Sequence, residues 1–200
     1  MYKNTKILIF FITIVLLSGC ININVTPSGQ STATAIPSYT KTPKNIDASK
    51  LDIKKVVLDD NEIKDIIGPE WIKQNNPIMT PPDNIQMTGS AYEQQNTYYK
   101  IPPATSIMLY ILPNTTVTDD LYNKILTELF KKTTTTDYEI GESGKLIKGN
   151  DSTGTIEVNA VVFKINTIVV MTVSTLDQDT AIKLASKQEA KIARILETIK

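Results

Sequence analysis

The 200-residue chain contains no histidine. That absence excludes histidine general bases, Ser-His-Asp triads and histidine metal ligands together. Cysteine occurs once, at Cys20, so no intramolecular disulfide can form and a zinc site of Cys and His is out of reach. Charge of one sign is also missing: 21 basic residues face 21 acidic ones, without the concentrated positive field that nucleic-acid binding requires. Long apolar runs are lacking too. The longest, Ile7 to Leu17, has roughly eleven residues against the ~20 a membrane-crossing helix needs. Extending it beyond Cys20 would carry Asn22 and Asn24 into hydrocarbon, where unpaired amides are costly.

The first twenty residues form a recognisable order. Lys3 and Lys6 precede the apolar run, small residues follow it, and Cys20 ends it, as in a secretory signal peptide. Leu17-Ser18-Gly19-Cys20 resembles a bacterial lipobox, with a branched residue three before the cysteine and small residues beside it. The resemblance implies cleavage between Gly19 and Cys20, a diacylglyceryl group on the thiol, and Cys20 as the first residue of the mature protein. The physical logic agrees, since each buried methylene contributes roughly 0.8 kcal/mol and two or more acyl chains anchor where one is marginal. A free exported thiol would instead be open to oxidation. Residues 1–19 are read as the signal peptide, and their removal leaves 19 bases against 21 acids. The expected location is the cell membrane, lipid-anchored through acylated Cys20 and facing the extracytoplasmic side. Ile21 is not the aspartate linked to inner-membrane retention in some Gram-negative bacteria.

Residues 20–50 are rich in Ser, Thr, Pro and Asn and have no apolar period. Such a segment buries too little to offset the entropy of ordering, and reads as a tether. Residues 51–200 have the length of one domain that buries about two thirds of its unfolded surface. Within it, Asp59 with Glu62 predicts a capping box for a helix over Asp60–Ile67, stopped at Gly68-Pro69, with Ile63, Ile66 and Ile67 inward. The weak alternation of Thr88–Lys100 and the apolar Thr105–Leu112 segment, closed by Pro113, predict strands. Thr118 is the expected cap of a helix that Asp119 and Asp120 open and Lys131 and Lys132 close, with Leu121, Ile125, Leu129 and Phe130 as its apolar stripe. Three strands are expected from there to Leu176, the last two joined in a hairpin near Ile165-Asn166. A final helix is expected over Gln178–Ile199, begun by Asp177 or Asp179, with Ile182, Ala185, Ile192, Ile195, Leu196 and Ile199 at helical spacing.

The predicted class is α+β, a mostly antiparallel sheet packed by helices. The helix ending in "IIGPEW", the central helix, and "VVFKINTIVVMTVST" followed by "AIKLASKQEAKI" are similar to exported domains of the PsbP/Mog1-like α/β/α sandwich group. That resemblance implies a fold and an accessory or binding role, and transfers no catalytic residue.

Local motifs with a chemical look have simpler explanations. Gly141–Lys145, "GESGK", resembles a phosphate loop, but Glu139 stands where the motif needs glycine and Leu146 where it needs Ser or Thr. Ser38–Lys41 matches Ser-x-x-Lys but lies in the tether. Gly149–Gly154 is rich in oxygen ligands, yet Val161 and Val162 stand where a calcium loop requires its bidentate acid, so a turn is expected. The pairs Asp59/Asp60, Asp119/Asp120 and Asp177/Asp179 sit at expected helix starts. Asn24, Asn114 and Asn150 begin Asn-x-Ser/Thr sequons, relevant only where exported proteins are glycosylated.

Two surfaces are candidates for interaction. Lys183, Lys187, Lys191 and Arg194 recur at helical spacing as a basic stripe suited to anionic lipid or an acidic partner, diluted by Glu189 and Glu197. Tyr98 and Tyr99, before Pro102 and Pro103, are an aromatic patch of the kind enriched at interfaces. The expected function is a non-catalytic binding or accessory domain, without cofactor or metal, that engages an envelope protein, a wall polymer or a small ligand, and no nucleic acid. A carboxylate-dependent envelope enzyme acting on glycans is an alternative, as is a structural or sensory module of an envelope complex.

Overall fold

The computed structural model describes residues 50–74, 84–95, 102–151 and 153–198. Residues 1–49, which include Cys20 and nearly all of the expected signal peptide and tether, and Tyr98 and Tyr99 lie outside them. The described chain forms α1 (Ile53–Val56), α2 (Asp60–Ile67), β1 (Trp71–Lys73), β2 (Gln86–Gln94), β3 (Ala104–Ile111), α3 (Thr115–Glu128), β4 (Lys131–Tyr138), β5 (Ser143–Asn150), β6 (Glu157–Ile165), β7 (Ile168–Ser174) and α4 (Gln178–Thr198). The seven strands make one sheet in the order β1-β2-β3-β7-β6-β5-β4. Every adjacent pair is antiparallel, so the fold is α+β.

The sheet separates two apolar clusters. On one face, α1, α2 and α4 bury Val56, Ile63, Ile67, Leu184 and Ile192 against Ile107, Leu109, Phe163 and Val170. On the other, α3 buries Tyr122 and Ile125 against Ile147, Ala160, Val162 and Val169. Alternation along each strand sends successive side chains to opposite faces, which is why Phe163 and Val162 belong to different clusters. The fully buried central strands β6 and β7 read in sequence as nearly continuous apolar runs for the same reason.

The α2 cap is as the sequence predicts. Asp59 Oδ1 accepts from the N–H groups of Asn61 and Glu62, both at 2.9 Å, and Glu62 Oε2 accepts from Asp59 N–H at 2.9 Å. Ile63 and Ile67 are buried, with Ile66 partly so. For α3 the start is corrected. Asn114, not Thr118, is the cap, its side-chain oxygen accepting from Val117 N–H at 2.9 Å. Thr118 is buried one turn later and donates its hydroxyl to Asn114 C=O at 2.8 Å. Asp119 and Asp120 therefore sit inside the helix rather than at its mouth. Replacing Asn114 with alanine is expected to cost about 1 kcal/mol in urea denaturation.

The end of α3 is corrected as well. Lys131 and Lys132 do not close the helix but begin β4, an edge strand paired to β5. The run Thr133–Thr136 explains the switch, since consecutive β-branched residues lose side-chain freedom in a helix and favour a strand. The short α1 and β1 are further elements without a periodic signal of their own. The β6–β7 hairpin turns at Asn166-Thr167, one residue beyond the expected position, because Ile165 pairs with Ile168. Asn166 takes the left-handed backbone there, with φ 54°. In α4 the buried face is centred on Ala181, Leu184, Ala185, Gln188, Ile192 and Leu196, while Ile182 and Ile195 are only partly buried. Ile199 lies outside the described residues. Asp177 is the group that starts α4, accepting from Thr180 N–H at 2.6 Å.

Candidate functional site

The basic stripe divides when the helices pack. Lys187 Nζ donates to Glu62 C=O at 3.3 Å and lies 3.5 Å from Asp65 Oδ2, and Lys191 Nζ lies 2.5 Å from Glu62 Oε2. Two of the four cations thus join α4 to α2, and Lys183 and Arg194 remain exposed. Burial alone would raise the Glu62 carboxyl, but the hydrogen bonds from Lys191 and from Asp59 N–H outweigh it and hold the group below its ordinary value.

A second polar cluster ties α2 to β1 and β2. Asp60 Oδ1 accepts from Lys73 Nζ at 2.7 Å and from the Tyr92 hydroxyl at 2.9 Å. The Lys73 hydrogen bond holds the Asp60 carboxyl below its ordinary value, against the effect of partial burial. Desolvation, then the hydrogen bond to Asp60, pushes the Tyr92 phenol far above its usual range. This phenol is therefore a fixed donor.

On the opposite face, Ser143 Oγ lies 3.3 Å from the Tyr122 hydroxyl, and Lys164 Nζ sits 5.7 Å from the centre of the Tyr122 ring. Lys164 pairs with Asp119, and Lys145 with Asp137. Each ammonium is matched by a carboxylate, so the group has no net field for an anion. At the β4–β5 turn, Glu189 of α4 accepts from Gly141 N–H at 2.6 Å, and burial raises its carboxyl despite that bond. "GESGK" is accordingly a hairpin turn leading into β5, with Tyr138 opposite Gly144. Of the Gly149–Gly154 stretch, Gly149 and Asn150 end β5 and Thr153 and Gly154 lie in the turn that leads to β6. Buried Asp151 is occupied by Thr155 N–H at 3.0 Å, Ile156 N–H at 3.1 Å and the Thr153 hydroxyl at 2.6 Å.

Glu93 differs from all these carboxylates. It is half-buried on β2, burial raises its carboxyl, and no described group donates to it. Sequence reading passes over it because a glutamate in a weakly alternating strand looks like a solvent-facing residue. Among the described residues no group of three or more His, Cys, Asp or Glu side chains could hold a metal ion, and no helix is long and apolar enough to cross a membrane.

No protein-family model and no curated protein matches the chain. Among solved structures the chain is similar to the extracellular domain of PknH from Mycobacterium tuberculosis, with 12% sequence identity and a TM-score of 0.43 over 72% of this chain and 94% of that one. The functional reading therefore rests on the chain's own residues.

Proposed function

We propose that this protein is a lipid-anchored protein of the bacterial cell envelope whose domain, residues 51–200, binds a partner without doing chemistry. The observation that carries the anchoring is Leu17-Ser18-Gly19-Cys20 directly after a short apolar run. In this reading Cys20 bears the acyl chains, residues 21–50 act as the tether, and the domain faces away from the cytoplasm. The binding role is supported by where the carboxylates lie: Asp60, Glu62, Asp65, Asp119, Asp137 and Glu157 are each held by a lysine. A glycan-cleaving pair would need two carboxyl groups converging about 5–9.5 Å apart on a substrate. Helices on both sides of an antiparallel sheet, with a final hairpin leading into a long helix, support assigning the domain to the PsbP/Mog1-like group.

The anchoring is tested by growing cells that express the protein with an alkyne-bearing fatty acid. Label is expected in the wild-type chain, and in Cys20→Ser it is expected to vanish together with cleavage of the leader. Labelled or normally processed Cys20→Ser protein would overturn the anchoring. The binding role is tested separately by in-cell crosslinking of the full chain, where a defined adduct is expected. Its absence at several crosslinker positions would overturn that half.

A further inference from the structure

The sheet ends in two unlike edges. β1, on one side, has 3 residues, which is short for a strand that templates another. β4, on the other, has 8, of which Lys131, Lys132 and Thr134–Asp137 are exposed. No strand lies on its outer side among the described residues, and α3 and α4 pack further in, on β6 and β7. Such an edge leaves alternate N–H and C=O groups open to a further strand.

Charge decides which strand fits. β4 reads Lys131-Lys132-Thr133-Thr134-Thr135-Thr136-Asp137-Tyr138, positive at its start and negative near its end with only threonine between. Neither lysine has an ion-pair partner among the described residues. Asp137 pairs with Lys145, but its side chain stays 90% accessible, and a carboxylate has room for more than one donor. Between Lys131 and Thr134 the register to β5 shifts by one residue, and Lys132 takes the left-handed backbone with φ 48°. Lysines and a bulge on an edge turn away an arbitrary strand. They admit a strand whose charges run the opposite way, and an antiparallel copy of β4 is one.

We propose that β4 is a self-association edge, at which a second copy of this chain adds its own β4 antiparallel and continues the sheet. A two-fold axis perpendicular to the sheet keeps each face on its own side, so only residues of like facing can be opposed. The pairing with β5 puts Thr134, Thr136 and Tyr138 on one face and Thr135 and Asp137 on the other. Centring the axis on Thr135 sets Thr134 opposite Thr136 of the other copy and Thr133 opposite Asp137. The lysines that start one β4 then lie beside Asp137 and Tyr138 of the other, twice over by symmetry, and the threonines form cross-strand pairs. Centring on Thr134 carries Asp137 past the lysines, and centring on Thr136 leaves it short of them. The tether is the poorer occupant: from Cys20 to Ile46 it has no acidic residue to meet the lysines and is interrupted by Pro27, Pro37 and Pro43, which cannot donate to a ladder. The inference goes beyond the proposed function and is independent of lipid anchoring.

The test is sedimentation of the full chain in density-matched detergent over a range of concentrations. The wild-type chain is expected to pass from monomer to dimer. Lys132→Glu and Asp137→Lys, each alone, are expected to raise the dissociation constant about tenfold, since each turns two attractions into two repulsions. Mixed in equal amounts, the two variants are expected to associate as tightly as wild type. Only the mixed dimer sets the introduced glutamate against the introduced lysine and keeps the native pair at the other end, and its recovery shows that both variants fold. Disulfide formation reads the register. Thr135→Cys, on the axis, is expected to link two copies beyond the wild-type background, whereas Thr133→Cys, about 13 Å along the strands from its symmetry mate, is too far away to do so. A wild-type chain that stays monomeric, variants that dimerise like wild type, a mixture no tighter than its components, or faster linking through Thr133→Cys would each overturn the pairing. Dimers that form only after residues 21–49 are removed would make the tether the native occupant and overturn it too.

Discussion

Gln188→Leu is expected to destabilise the domain by about 3 kcal/mol, because it leaves two buried backbone groups unpaired at roughly 1–3 kcal/mol each. Gln188 is 0% exposed in the middle of α4. Its Oε1 accepts from Leu58 N–H at 2.9 Å and its Nε2 donates to Val56 C=O at 2.7 Å. The one side chain thus satisfies both backbone groups at the junction of α1 and α2. Leucine has similar volume and would fill the space, which isolates the lost hydrogen bonds from any cavity effect. Urea denaturation of the two proteins measures the difference. A loss below about 1 kcal/mol, the net worth of a single ordinary hydrogen bond, would mean that water replaces the amide.

Gly141→Ala is expected to cost a comparable amount, on the order of 3 kcal/mol, from strain and a steric clash acting together. Gly141 has φ 59°, and a Cβ there would stand 2.6 Å from Lys164 C=O, with Phe163 and Ile165 side chains at 3.1 Å. The obstacle is backbone of a buried central strand, which cannot give way as a side-chain tip can. Gly154 provides the internal control. Its φ is 76°, with nothing within 4 Å of the added atom, so Gly154→Ala should cost only the left-handed penalty of about 1 kcal/mol. Thermal melts of both variants check the contrast, and equal losses would remove the clash from the account. The Gly141 variant also bears on the Glu189 contact, since displacement of the turn moves the N–H that Glu189 accepts.

Gln188 is one of several polar links that hold the start of the domain to the rest of it. The chain enters the described domain at Leu51, which is buried together with Val56 and Leu58. The α1–α2 unit that follows is held to α4 by Gln188, Lys187 and Lys191, and to β1 and β2 through Asp60.

Much of this protein is legible in its sequence because the signals are local. The capping box at Asp59 and Glu62, the strands flanking Asn166 and the length of the last helix follow from residues within a few positions of one another. So does the lipobox-like Leu17-Ser18-Gly19-Cys20, which gives a proposed address without any fold. Other features required the tertiary structure. Thr133–Thr136 becomes an edge strand only because β5 is there to pair with it. Lys187 and Lys191, which look like a solvent stripe, are half-buried because α2 brings Glu62 and Asp65 to them. Gln188 reads as a surface residue until Leu58, 130 positions away, is placed against it. Glu93 carries no signal at all until register sets Ile72 on one side of it and Ala104 on the other. The physical reason is common to all four: caps, turns and leaders depend on neighbours along the chain, whereas a charge's partners and its cost depend on which distant strands and helices surround it.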